Sequence, residues 1–327
     1  MLDRAALVNV NAILGTLQGG VGIVLGFILG LLLLATVISE VLPRVRGRPG
    51  NAELILRVRA WWVMAGLFVL AVLVGKRVGI TFVMFLSYLA LKEYLSLIPQ
   101  RRSDRRVLLW VYLAIPLQYL WVYTGRYGMF IIIVPVYLFL FLPFRLMLTG
   151  VTQNFLRASS TLHWGLMLTV FALGHLAYLL VLPPLHPAGG VGLLLYVVLV
   201  TQFNDVAQYV CGERFGRRKI VPQVSPNKTW EGFIGGLLSA AVLAVLIAPV
   251  ITPLNRLEAL VLGLALPVVG FIGDVTMSAV KRDLGVKDAS SLIPGHGGIL
   301  DRVDSLMFTA PVFFHFIYYF VYGPVRG

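Results

Sequence analysis

The chain has 327 residues, of which 59% are hydrophobic and only 13% charged, and its mean hydropathy is +0.89. A water-soluble protein of this size needs far more charged surface, so the composition excludes a soluble globular domain and points to a polytopic membrane protein. The net charge of +13 is read as cytoplasmic loops and contacts with anionic lipid headgroups; no basic–aromatic module points to RNA or DNA, so no nucleic-acid partner is expected.

Ten apolar segments follow in chain order: 21–38, 60–74, 79–98, 107–121, 130–144, 162–182, 191–204, 233–250, 257–272 and 306–322. Several are shorter than the roughly 20 residues a spanning helix needs, so nine to ten transmembrane helices are predicted in an all-α membrane fold. Residues 1–18 offer a surface helix at most. The first apolar run lacks a small-residue cleavage pattern and is expected to be retained.

Basic residues set the orientation. Arg44, Arg46, Arg48, Arg57 and Arg59 flank one connection, and Arg101, Arg102, Arg105 and Arg106 another. With alternating spans both lie on one side, which is then cytoplasmic. Lys76-Arg77 falls on the other side, against the rule. The same alternation puts 205–229 and 273–305 together on the cytoplasmic side. The chain reads as one continuous membrane domain, with N-terminal helices over 1–160 and a catalytic region over 161–327 that carries motifs at 205–232 and 273–305.

The stretch Gly273–Ser305 holds five aspartates, a GHGG turn and a DRxD ending between apolar segments. Charge of that density beside hydrocarbon is costly unless it is paired, bound to metal or lining a wet site. Asp274, Ser278 and Lys281 share one face if the preceding helix continues, and Arg282 adds a second cation. Asp301 and Asp304 at i, i+3 point the same way as the last helix begins. Two readings stay open: three carboxylates converging on Mg²⁺, a hard ion that takes oxygen ligands, or a helix cap with ion pairs to Arg282, Arg302 and Lys287. The turn around His296 offers backbone N–H groups to an anion, and His296 is either a donor to phosphate or a solvent-exposed turn residue.

Asp205, Gln208, Tyr209 and Gly212 recur at helical spacing. They suit a nucleotide or metal-bound water network, or an interhelical polar cluster that only fixes packing. Ser225, Lys228 and Thr229 precede a helix start and suit a phosphate contact, although the glycine-rich lead of a Walker A loop is missing. Glu231 reads as a further contact or as a cap. His163, His175 and His315 lie singly in apolar segments without a second histidine one turn away. Cys211 reads as packing, and a lone cysteine excludes an intrachain disulfide.

The order Ser278-x-x-Lys281-Arg282, Lys287-Asp288, Pro294-Gly295-His296-Gly297-Gly298, Asp301-Arg302-x-Asp304 resembles the signature of the phosphatidate cytidylyltransferases, also called CDP-diacylglycerol synthases. The stretch from Asp205 to Gly232 resembles the same family's cytoplasmic region. The resemblance is specific over about 205–305 and fades to general membrane character before that. It implies an integral inner-membrane enzyme, bacterial from the compact chain, that uses CTP and phosphatidate to make CDP-diacylglycerol and pyrophosphate among membrane lipids. It also implies Mg²⁺ with a second metal such as K⁺, and a homodimer. By the resemblance, Asp274, Asp301 and Asp304 hold metal. Lys281, Arg282, Asp288 and His296 are the catalytic candidates. Asp205, Tyr209, Ser225, Lys228, Thr229 and Lys287 are the nucleotide-binding ones. Gln208 departs from the alanine usual in the family and bears on the identity of the lipid acceptor. The rival readings are transfer to another lipid phosphate, a CTP-dependent lipid kinase, and a non-catalytic or transport paralogue.

Overall fold

The computed structural model describes residues 19–45, 51–98, 105–290, 292–293 and 297–323. Among these, ten helices are long and apolar enough to cross a membrane. They are α1 (Gly20–Val45), α2 (Ala52–Val74), α3 (Lys76–Leu97), α4 (Arg105–Tyr123), α5 (Tyr127–Met147), α6 (Phe155–Leu179), α7 (Gly189–Phe215), α8 (Trp230–Ile251), α9 (Arg256–Asp283) and α10 (Leu300–Val321). Each predicted apolar segment overlaps one of them, in order. At 1.5 Å per residue, a helix of 22 residues reaches about 33 Å, the thickness of a bilayer's hydrocarbon core.

The helices outrun the apolar runs where polar side chains could be satisfied. The α7 helix continues past Asn204 to Phe215, and α9 continues past Ile272 to Asp283. Asp205, Asp274, Ser278, Lys281 and Arg282 are therefore helical residues rather than loop residues. Local signals fix other ends. Asn51 Oδ1 accepts from the Glu53 and Leu54 N–H groups at the start of α2, and Asn255 with Glu258 forms a capping box at the start of α9. Each such cap contributes about 1 kcal/mol. A single residue, Gly75 at φ 145°, joins α2 to α3, so Lys76-Arg77 does open a span at the end away from the charged motifs.

Between α7 and α8 the chain makes an antiparallel hairpin that the sequence reading did not contain. Strand β1 (Lys219–Val221) pairs with β2 (Ser225–Thr229), with Lys219 opposite Thr229 and Val221 opposite Ser225. The core is apolar and centres on α3, α4, α6, α7 and α10, with Ile80, Leu91, Tyr119, Leu166, Tyr196 and Phe313 fully enclosed. Outward faces carry exposed leucines such as Leu33, Leu238 and Leu246, as lipid-facing surfaces do. His175 and His315, apart in sequence, meet across α6 and α10 with ring centroids 5.1 Å apart, inside an aromatic cluster with Phe130, Tyr178 and Phe314.

Candidate functional site

The charged residues gather where α7, α9, α10 and the hairpin meet. Glycines let those backbones approach. A Cβ on Gly273 would lie 2.7 Å from the Asp304 carbonyl oxygen, so α9 and α10 touch there. That contact sets Asp274 and Asp304 within electrostatic reach of each other, and Asp205 on α7 belongs to the same group. On the α8 side, a Cβ on Gly236 would meet Gln208 Cγ at 2.3 Å and Asn204 Oδ1 at 2.9 Å, which brings the polar face of α7 against a bare stretch of backbone.

The hairpin delivers a cation into this acidic group. Lys228 Nζ lies 2.6 Å from Asp274 Oδ2, 3.5 Å from Gln208 Oε1 and 5.7 Å above the Phe271 ring. Burial works against the ammonium, but the carboxylates of Asp274, Asp205 and Asp304 outweigh it, and the Lys228 pKa is raised above the ordinary lysine value. Ser278 Oγ donates to the other oxygen of Asp274 at 3.3 Å, as the shared helical face requires.

A second pair closes the loop after α9. Lys281 Nζ donates to Asp301 Oδ1 at 2.6 Å, and both side chains are largely buried. Asp301 Oδ2 accepts from the Ala289 N–H at 2.9 Å and the Gly298 N–H at 3.0 Å. Arg282 donates to the Val224 carbonyl at 3.3 Å and so ties the hairpin turn to α9.

The remaining candidates fall as follows. Thr229 is buried and caps α8, its Oγ1 accepting from the Gly232 N–H at 3.2 Å. Glu231 closes the turn into β1 by accepting from the Arg217 and Arg218 N–H groups. Ser225 is half-buried in β2, and Lys287 and Asp288 are exposed in the loop. Tyr209 is 56% exposed, so it does not share the buried setting of Gln208. His296 lies outside the described residues. Glu93 of α3 joins the site from outside the two charged motifs, and the signal for it in the sequence is an acidic residue within an apolar span; it reaches Ser290 and Leu300. A cavity of about 800 Å³ opens between α3, α4, α6 and α9, and none of the described candidate residues lines it.

The three aspartates expected to hold metal are not gathered as a set. Among the described residues no three His, Cys, Asp or Glu side chains form a ready metal centre. The reason is visible in the pairing: Asp301 is committed to Lys281 and two loop amides, and Asp274 to Lys228. The donor chemistry nevertheless fits a hard cation. Asp205, Asp274 and Asp304 supply oxygen only, and Lys228 is the cation set among them. Among the described residues the buried atoms Asp205 Oδ1, Asn204 Oδ1 and Gln208 Nε2 have no hydrogen-bond partner. Orphaned buried polar atoms of this kind point to a ligand, ion or ordered water at the same place.

Fold and site define a polytopic helical membrane protein with a buried cluster of acidic and basic side chains at one end of the bundle. The chain belongs to the cytidylyltransferase family, which it matches over residues 55–320. It is 45% identical over 299 residues to the uncharacterized protein YnbB of Escherichia coli (strain K12), covering 91% of this chain and 98% of that protein. It is also 45% identical over 140 residues to the phosphatidate cytidylyltransferase of Haemophilus influenzae, and 43% identical over 129 residues to that of Bacillus subtilis. These matches cover 41% and 39% of this chain and 48% of each relative, so the chain spans about half the length of both.

Proposed function

We propose that this protein transfers the cytidylyl group of CTP to phosphatidate, giving CDP-diacylglycerol and pyrophosphate. The observation that carries the reading is the pairing of Lys228 with Asp274 and of Lys281 with Asp301 at one end of a largely apolar bundle. Two ammonium groups held among carboxylates suit a substrate that brings phosphate charge of its own. The likeness to proteins named phosphatidate cytidylyltransferase supports the same chemistry.

In this reading a phosphate oxygen of phosphatidate attacks the α-phosphorus of CTP, and the bond from that phosphorus to the β-phosphate oxygen breaks, releasing pyrophosphate. A phosphate monoester is already largely ionised near neutral pH, with a second pKa of about 6, so no strong general base is needed. The residues' work is positioning and charge stabilisation. Lys228, Lys281 and Arg282 hold phosphate oxygens, and the exposed Lys287 and Asp288 stand at the loop where the nucleotide enters. The Mg²⁺ of this proposal would be held by Asp274 and Asp304, with Asp205 beside them and Asp301 once Lys281 has turned to phosphate; K⁺ is the proposed second ion. When bound, the metal neutralises charge on the transferred phosphoryl group. The site faces the cytoplasm of a bacterial inner membrane, where CTP is available and where the basic ends of α1 and α4 also lie by alternation of the spans. A homodimer is carried as part of the proposal.

The test is purified protein in detergent with radiolabelled CTP, Mg²⁺ and phosphatidate, following lipid-extractable label and pyrophosphate. Matching lipid label and pyrophosphate, lost in Asp274→Asn, is the expected result. Label in another lipid phosphate but not in phosphatidate would reassign the acceptor. CDP instead of pyrophosphate would indicate a kinase, and failure to bind CTP would sink the nucleotide reading altogether.

A further inference from the structure

Glu93 lies within the last turn or so of α3 and is only 7% exposed. Both of its carboxylate oxygens are used, and both reach residues some 200 positions away. Oε1 accepts from Ser290 Oγ at 2.8 Å, and Oε2 accepts from the Leu300 N–H at 2.8 Å. Leu300 is the first residue of α10, so its N–H is one of the donors a helix cannot satisfy internally, and a carboxylate there also meets the favourable end of the helix dipole. The loop is shaped to admit this side chain: a Cβ on Gly298 would lie 2.3 Å from Oε2.

Glu93 and Asp301 grip the same two stretches of chain. Asp301 accepts from the Ala289 and Gly298 N–H groups, while Glu93 takes the hydroxyl of Ser290 and the N–H of Leu300. Residues 289–290 and 298–300 are thereby clamped by two carboxylates. One of those carboxylates, Asp301, also holds Lys281. We infer that Glu93 is a positioning residue: its carboxylate fixes residues 289–290 and 298–300, and through them the alignment of Lys281, Asp301 and Asp304. A buried carboxylate in a membrane span is expensive to keep unless it is engaged in this way. The kinetic part of the inference rests on the proposed cytidylyl transfer; the clamp itself does not.

The experiment compares wild type with Glu93→Ala, Glu93→Gln and Ser290→Ala in detergent. It reads hydrogen–deuterium exchange over 284–304 together with kcat and KM for CTP, per folded enzyme. For Glu93→Ala, exchange in 284–304 should rise at least about tenfold while distant spans are unchanged, and kcat should fall at least about tenfold, since a displacement near 1 Å can cost about 100-fold. KM should move much less. Glu93→Gln keeps a carbonyl oxygen for the Leu300 N–H and offers its amide to Ser290 Oγ, so it should recover most of both losses. Wild-type exchange over 284–304 in Glu93→Ala overturns the inference, and so does a lower yield of folded protein with kcat per folded enzyme unchanged. If Glu93→Ala does not fold, Ser290→Ala decides: faster loop exchange supports the clamp, and unchanged exchange overturns it. If wild type transfers no cytidylyl group, the functional proposal fails, and the exchange measurement still settles the clamp.

Discussion

Lys228 Nζ lies 2.6 Å from Asp274 Oδ2, which pins the hairpin between α7 and α8 onto the start of the polar stretch of α9. Both side chains are mostly withdrawn from solvent, at 20% and 24% exposure, and Asp205 and Asp304 add negative charge around the same ammonium. An ion pair in this setting is poor at stabilising a fold, because desolvation offsets most of the attraction. Its value lies in holding a cation and a carboxylate at a fixed separation.

Removing one partner leaves the other charge unpaired and should damage folding as well as chemistry. Asp274→Asn and Lys228→Met are each expected to lower turnover on the order of 100-fold, with a loss of folding stability of about 3–5 kcal/mol. The double substitution should cost no more than the worse single one, since the two groups act as a unit. Labelled lipid formed per folded enzyme is the measurement. Losses that multiply would show that Lys228 and Asp274 act separately.

The raised Lys228 pKa gives this pair a definite pH signature. A cation whose folded pKa lies above its unfolded value adds stability that is complete below the ordinary lysine value of 10.5 and disappears as pH climbs through the folded value. The melting-temperature advantage of wild type over Lys228→Met should be flat from about pH 7 to 9.5 and shrink only beyond 10.5. Turnover between about pH 6 and 9 should show no limb that Lys228→Met removes. A stability difference that fades between pH 7 and 9 would contradict the geometry around Lys228.

The spans were legible because lipid imposes an apolar run of fixed length, and each of the ten runs became one helix. Helix ends were less legible. Hydropathy stops at Asn204 and Ile272, yet α7 and α9 run on for about another three turns, and on α9 Asp274 and Lys281 are paired with Lys228 of the hairpin and Asp301 of α10 rather than with water. The ion-pair partners, which lie on different elements, could not be read from spacing. Asp301 looked like a metal ligand beside Asp304, but the fold turns it toward Lys281 and the loop amides. Tyr209 shares a helical face with Asp205 on paper and is exposed in the fold, because the bundle covers only part of that face. Glu93 was visible as a charge in a span, but its partners are set by tertiary packing alone.

Asp301 should behave as a structural residue as well as a catalytic one. Its two oxygens together accept from an ammonium and two backbone N–H groups, so Asp301→Asn places an amide donor against donors whichever way it turns. One buried donor is left unsatisfied, at a cost of about 1–3 kcal/mol. Asp304 Oδ1 accepts only the neighbouring Ser305 N–H, at 2.8 Å, and Asn preserves that bond. Detergent melting curves should thus fall for Asp301→Asn and stay near wild type for Asp304→Asn, while turnover falls in both. Equal melting temperatures for the two variants would remove the clamp assigned to Asp301.

Gly273 tests whether the approach of α9 to α10 is what assembles the acidic group. An added Cβ would lie 2.7 Å from the Asp304 carbonyl oxygen and 2.8 Å from the Phe308 ring, and the carbonyl belongs to a helical backbone that cannot swing aside. Gly273→Ala in a helix interior would otherwise gain about 1 kcal/mol from helix propensity. Overpacking of this kind costs about 1–3 kcal/mol, so the net change in stability should be small or negative. The separation of Asp274 from Asp304 must nevertheless grow by several tenths of an ångström. Turnover is therefore expected to fall by at least about tenfold in folded Gly273→Ala protein, a larger effect than the stability change explains. Gly270, whose Cβ would meet its nearest neighbour, Thr309 Cγ2, at 3.4 Å, is the control one turn away on the same helix. Gly270→Ala should keep most of its turnover, and a loss equal to that of Gly273→Ala would locate the sensitivity in general helix packing rather than at the aspartates.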